Sequence, residues 1–342
     1  MFTFKTNDYD KYVYKTEIKD FIPDNIIDIH THIFENEMER ISDAKGSSTW
    51  DRMVADELTG KNIISAYEDM FPGKNIIPVV FGAFGKTAEE MNVYVEKEKN
   101  AYGFPALFRT HYSMTGEELE EKVKNGGFIG LKPFLTFSPS YLPPNEIRTF
   151  DFLTHEHLET ANRNGWIVIL HIARSKRLRD ELNIAQLMEI EEKYPNVKLV
   201  VAHVGRAYSK QDIGDAFDIL KNTKNMLFDF SANVCDEAIK ACIEAVGTKR
   251  LLFGSDMPIS VMRMFRTTDE TGFYYNNVPA GLYGDPFDDP HMKVSDRENI
   301  TIMMYEQLRA FKRVALEMKL KDSDIEDIMY LNSKKILREF GY

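Results

Sequence analysis

Short runs of Val, Ile, Leu and Phe recur along the chain, each followed by a longer stretch of mixed apolar and charged positions. The runs are NIIDIH (25–30), NIIPVVFGAF (75–84), FPALFRTH (104–111), GFIGLKPF (127–134), WIVILHIA (166–173), VKLVVAHVG (197–205), NMLFDFSAN (225–233) and RLLFGSDMP (250–258). Little polar alternation interrupts them, which predicts parallel strands covered on both faces. TAEEMNVYVEKEKNAY (87–102), GEELEEKVKNG (116–126), HEHLETANRNG (155–165) and DIGDAFDILKN (212–222) lie between them and predict helices. Eight strands alternating with helices predict an α/β chain folded as a (β/α)8 TIM barrel.

Residues 33–74, 138–150 and 259–300 exceed ordinary connection lengths, so long loops are expected after strands 1 and 8, where loops shape a barrel's mouth. The segment from TIMMYEQLRAFKRVALEMK onward predicts closing helices. No composition shift marks a domain boundary, so residues 1–23 are expected to form an N-terminal extension and 24–342 a single barrel.

Composition narrows the partners. The 342 residues carry a formal charge of −11 and no basic stripe, which argues against nucleic acid and anionic membrane surfaces. No apolar run is long enough to span a bilayer, and the charged N-terminus lacks a signal-peptide core. Cys235 and Cys242, seven apart, fit neither a redox motif nor a disulfide framework. A cytoplasmic enzyme acting on a small molecule is the expectation. Barrel enzymes commonly associate, so a homo-oligomer is compatible with the chain, though nothing in it sets the number of copies.

The chemistry gathers at strand ends. His30 and His32, two apart on a strand, point to one side, with Asp28 deeper on the same face and suited to supporting them. By itself H-x-H is a weak motif that two hydrogen-bonded surface histidines would satisfy. His171, His203 and Asp256, however, end the fifth, sixth and eighth runs, where burial is costly unless a group is paired or metal-bound. Their convergence predicts a metal site.

In their order and wording, DIHTH, GLKPF, LHIAR, AHVGR, LFDFSAN and LLFGSDMP resemble the amidohydrolase superfamily, in particular its amidohydrolase-2 branch related to aminocarboxymuconate semialdehyde decarboxylase. The likeness runs from about 24 to 340. It implies that His30, His32, His171 and Asp256 ligate one divalent metal, usually zinc, and that Asp256 also moves the proton of the attacking water. His203 is then expected to polarise the substrate or orient the water, a structural imidazole bonded to a backbone carbonyl being the other reading. Lys132 is expected to bind substrate, or to bridge a second metal if carboxylated; a plain structural ammonium is the other reading.

Arg174 and Arg206 follow the histidines of strands five and six by three residues, where a guanidinium fork suits a carboxylate. Arg109 and His111 are weaker candidates. Asp229 and Ser231 read as core polar residues, and His291 and the segments MFR and YY within 262–275 as mouth residues by position alone. The HEH at 155–157 falls at a helix start, where its side chains diverge, and is set aside. The expected function is a metal-dependent hydrolase of an amide, ester or lactone. The alternative is a metal-dependent nonoxidative decarboxylase of an unsaturated or aromatic acid, for which the same ligands would serve. A barrel that only binds would normally have lost a ligand, and none is missing.

Overall fold

The structure, a computed structural model, describes residues 2, 4–35, 53–83, 87–283 and 289–342. Eight parallel strands form the barrel: β1 (Asn25–Ile33), β2 (Asn75–Gly82), β3 (Phe108–Arg109), β4 (Gly130–Lys132), β5 (Ile167–Leu170), β6 (Lys198–Val201), β7 (Leu227–Asp229) and β8 (Leu251–Leu252). β1 pairs with β2, and β3 to β8 pair in order. A Val80–Ala106 bridge joins β2 to the approach of β3. On the other side Ile29 N donates to Phe253 O at 3.0 Å and Asp256 N to His30 O at 2.7 Å, which closes the ring.

Side-chain alternation divides the core into two layers. Ile27, Ile29, Val79, Phe81, Ile167, Ile169, Val200 and Leu252 cluster together in one. Their neighbours Ile26, Val80, Val168, Leu170, Val201 and Leu251 belong to a second cluster that includes the surrounding helices. Both faces of each strand are therefore buried, which is why the sequence shows apolar runs rather than alternation.

Most strands are shorter than the runs that predict them. The ladders end where the chain turns to present polar side chains. The segment expected as one helix over 212–222 is two short ones, Lys210–Ile213 and Ala216–Leu220. Gly214 breaks it, with a φ of 53° and a ψ of −134°.

The long connections carry structure of their own. The one after β1 contains a helix, Gly60–Met70, and the rest of it over 36–52 lies outside the described residues. After β8 the chain builds a small sheet: β9 (Phe265–Thr268) runs antiparallel to β10 (Tyr274–Pro279), which pairs in parallel with β11 (Met292–Ser295).

The N-terminal segment is tied down rather than trailing. Val13, Tyr14 and Ile18 join the main core. The buried Asp10 carboxylate accepts from both Arg263 Nη atoms, at 2.9 and 2.6 Å, and from Thr301 Oγ1 at 2.7 Å. No helix among the described residues is long and apolar enough to cross a membrane.

Candidate metal centre and active site

β1 carries the first two histidines, and a bulge aims them. Asp28 pairs with Pro78 but Thr31 with Val80, so one extra residue is inserted between them. His32 then stands opposite Phe81 of the inner layer. The bulge also breaks the expected link between Asp28 and the imidazoles. Asp28 accepts from the backbone N–H groups of His30 and Ser255 and from Tyr67 Oη, and burial lifts its carboxyl to about 6. It holds backbone, not a ring.

Asp229 holds the ring. Its Oδ2 lies 3.0 Å from His30 Nδ1, and its Oδ1 accepts from the N–H groups of His203 and Ser231, each at 3.0 Å. A carboxylate only accepts, so His30 Nδ1 carries the proton and Nε2 presents a lone pair. Burial, and then the charge of Lys132, push the His30 imidazole down to about 4, so it is neutral at physiological pH. For Asp229 burial acts upward, but His30, His203 and Ser231 outweigh it and hold the carboxyl below the usual range.

Asp256 lies beyond the end of β8 with a φ of 61°, in the left-handed region that non-glycine residues rarely adopt. Its Oδ1 is 3.1 Å from His32 Nε2 and 3.4 Å from His30 Nε2. Burial again acts upward, but His203, His32 and His30 keep the carboxyl ionised, below its ordinary range. Gly254 makes the approach feasible, because a Cβ there would meet His30 Cβ at 2.8 Å.

His203 is aimed by a turn of unusual hand. His203, Val204, Gly205 and Arg206 all have positive φ, between 50° and 63°, and three of the four are not glycine. Such a conformation costs roughly 1–2 kcal/mol per non-glycine residue. Asn233 offsets it by donating to the carbonyls of His203 and Ala207, each at 3.0 Å. His203 Nδ1 donates to Ser231 O at 2.8 Å, which holds the ring with Nε2 on its free edge.

His30, His203 and Asp256 can each offer a donor atom such that all three lie within 4.8 Å of one another. Two imidazoles and an ionised carboxylate suit a divalent transition metal. His32 touches the same carboxylate, and the His171 ring lies 5.3 Å from that of His203. His171 Nδ1 is buried and has no hydrogen-bond partner among the described residues, while burial, Arg206, His203 and Lys132 hold the ring well below its ordinary pKa. An orphaned, neutral imidazole at the edge of a donor cluster fits a metal centre. The compact group therefore includes His203, which the resemblance casts as acting on substrate, with His32 and His171 flanking it.

Among the expected substrate contacts, Lys132 is buried with Nζ 3.2 Å from His30 Nε2, over the rings of Phe81 and Phe134 at 4.6 and 5.4 Å. Burial lowers its ammonium to about 8. Arg206 Nη1 donates to the carbonyls of Ile172 and Arg174. Arg174, the third expected cation, is engaged within the protein. Its Nε lies 2.9 Å from both oxygens of Asp180 and its Nη1 donates to Asn145 O, so it braces loops.

Arg109 is buried against Phe137 at 3.9 Å, and burial lowers it to about 9. His155 and His157 bond to Tyr194 and to Met114 O, as befits residues outside the site. The sequence reading missed Asp229 as the partner of His30, although it ends its strand as His171 and Asp256 follow theirs. Arg177 and Tyr208 carry no such signal, while Arg266 and Tyr274 fall in the MFR and YY segments read only as mouth residues by position; the loops bring the four together.

The family model described as Amidohydrolase, of the amidohydrolase-2 type, matches residues 27–338. No curated protein matches the chain. Among solved structures, the chain is similar to a probable 2-pyrone-4,6-dicarboxylic acid hydrolase from Acinetobacter baumannii with citric acid bound, at 17% identity and a TM-score of 0.58, covering 93% of this chain and 100% of that one. A Burkholderia multivorans amidohydrolase with bound HEPES follows at 13% and 0.59, with 92% and 98% covered. A dihydroxybenzoic acid decarboxylase from Polaromonas sp. JS666 with manganese and 2-nitroresorcinol gives 14% and 0.57, with 94% and 100% covered. At these identities the likeness establishes the fold.

Proposed function

The chain belongs to the amidohydrolase family and is an enzyme of that type, and on this premise we propose that it is a metal-dependent hydrolase adding water to the carbonyl of a small organic acid derivative, an amide, ester or lactone. The observation that carries the reading is the Asp256 carboxylate, kept ionised within 3.1 Å of His32 and 3.4 Å of His30.

His30 and Asp256 are common to the donor cluster and to the ligand set the resemblance implies, so they anchor the proposed centre, with His32 and His171 supplying further imidazoles. Zinc suits such nitrogen and oxygen donors. When bound, the metal supplies Lewis acidity and makes water nucleophilic near neutral pH. Asp256 accepts the proton of the attacking water and returns it to the leaving atom. His203, its Nδ1 tied to Ser231, turns its other nitrogen to the substrate carbonyl. Lys132 and Arg206 are the proposed cations for a substrate carboxylate.

A second reading, nonoxidative decarboxylation, draws on the aromatic wall. Phe81, Phe134 and Phe137 stand against His32, Lys132 and Arg109, a surrounding suited to a flat acid. The two are separated by incubating zinc-loaded and chelated protein with lactones, esters and aromatic acids, following acid release against carbon dioxide. Metal-dependent acid release is expected. Carbon dioxide without hydrolysis would replace the first reading by the second.

A further inference from the structure

The accessory sheet after β8 brings charge to the His203 side of the site. Arg266 on β9 and Tyr274 on β10 meet Arg177, which follows β5, and Tyr208, which follows β6. The two tyrosine rings lie edge to face at 5.3 Å. Arg177 Cζ is 5.3 Å from the Tyr208 ring and 4.7 Å from that of Tyr274, and Arg266 Cζ is 4.7 and 4.8 Å from the same rings. Tyr208 in turn lies 6.3 Å from the His203 ring. Two guanidinium groups thus brace one aromatic pair, a single ring away from a candidate catalytic imidazole.

Arg177 pairs with Asp212 at 2.7 Å, and that carboxylate oxygen already accepts from the Tyr208 and Ser209 backbone. Arg266 meets only neutral acceptors among the described residues, Asn276 Oδ1 at 2.9 Å and Ala232 O at 3.4 Å. Arg206, adjoining the group, donates among the described residues to carbonyls. The Nε atoms of Arg177 and Arg206 are buried with no partner among the described residues. In a chain of net charge −11, three guanidinium groups gather here, with Asp212 paired to Arg177. Cation–π contact offsets only part of the desolvation of a guanidinium, so an oxyanion is the natural complement.

We propose that Arg177 and Arg266, braced on Tyr208 and Tyr274, form a recognition clamp for a second oxyanion of the substrate, a carboxylate or phosphate remote from the reacting carbonyl. The preferred substrate is then a dianionic organic acid. The first anion meets Lys132 and Arg206, and the second meets the fork geometry that only arginine offers. The clamp rests on the reading above only in placing the substrate beside His203.

Calorimetric titration of zinc-loaded protein with benzoate, isophthalate and 3-phosphonobenzoate tests it, with Arg266→Gln and Arg266→Lys alongside. Wild-type protein is expected to bind at least one dianion about tenfold or more tighter than benzoate, with the preference decaying as salt is raised. The ratio should collapse toward one in Arg266→Gln and recover in part in Arg266→Lys. Isophthalate favoured over 3-phosphonobenzoate assigns a carboxylate, and the reverse a phosphate. No preference in the wild type, or equal weakening of all three ligands in Arg266→Gln, overturns the clamp. The wild-type measurement stands even if a variant fails to fold. Dianion preference in a protein that hydrolyses nothing leaves the clamp standing and removes the proposed reaction, whereas hydrolysis without that preference removes the clamp alone.

Discussion

His30 Nδ1 lies 3.0 Å from Asp229 Oδ2, with both groups buried and 199 residues apart in the chain. The contact fixes the tautomer that exposes the Nε2 lone pair. Asp229→Asn removes the charge that orients the ring, and losses of about 10–100-fold in metal affinity are typical for such partners. Competition against a chelating indicator measures it. An unchanged affinity would show that the ring is held by packing alone.

Asp256→Asn keeps the shape of the side chain but no longer accepts a proton. Turnover should fall by about 10²–10⁴-fold. Because His203, His32 and His30 hold the Asp256 carboxyl below its ordinary range, the wild-type base stays ionised as pH falls and is lost only below that range. An acid limb of kcat/KM above the ordinary carboxylate range that moved with residue 256 would contradict the ionised carboxylate.

Lys132 makes a signed prediction about stability. Its ammonium is lowered by burial from 10.5 to about 8 in the folded chain. Below about pH 8 both folded and unfolded chains carry the charge, and burial penalises the folded one. Between about 8 and 10.5 the folded chain sheds the proton first, so its relative stability rises with pH, by roughly 3 kcal/mol in all. Urea titrations of chelated protein across this range should show the rise, and Lys132→Met should flatten it. A wild-type slope that survives the substitution would assign it elsewhere.

Asn233→Ala frees the carbonyls that clamp the left-handed turn at His203. A loss of about 1–3 kcal/mol in urea unfolding is expected, with kcat falling further than metal affinity, because His203 loses its aim. Equal losses in both would mean that the turn serves the fold only.

Asp10→Ala strands the Arg263 guanidinium that it holds at 2.6 Å. Removing one partner of such a buried pair costs about 3–5 kcal/mol. A thermal melt of the full chain checks this, and a shift of a degree or less would show that the N-terminal segment is loosely attached.

Much of this protein could be read along the chain. Because every barrel strand is buried on both faces, each appears as an apolar run, and His30, His32, His171, His203 and Asp256 stand out as polar residues where such runs end. What remained hidden depends on contacts between distant segments. The bulge in β1 that separates Asp28 from the imidazoles leaves no mark in residue type, since a one-residue slip is set by pairing with β2. The Asp229 carboxylate looked like any core polar group until strand seven was brought beside strand one. Arg174, equivalent to Arg206 by spacing, is taken by Asp180, and only the fold of the intervening loop reveals that. The tyrosine–arginine group joins segments from 177 to 274 whose local patterns carry no common period. Periodicity reports burial, which is a local property; partner identity is a matter of three-dimensional closure, and that belongs to the tertiary structure.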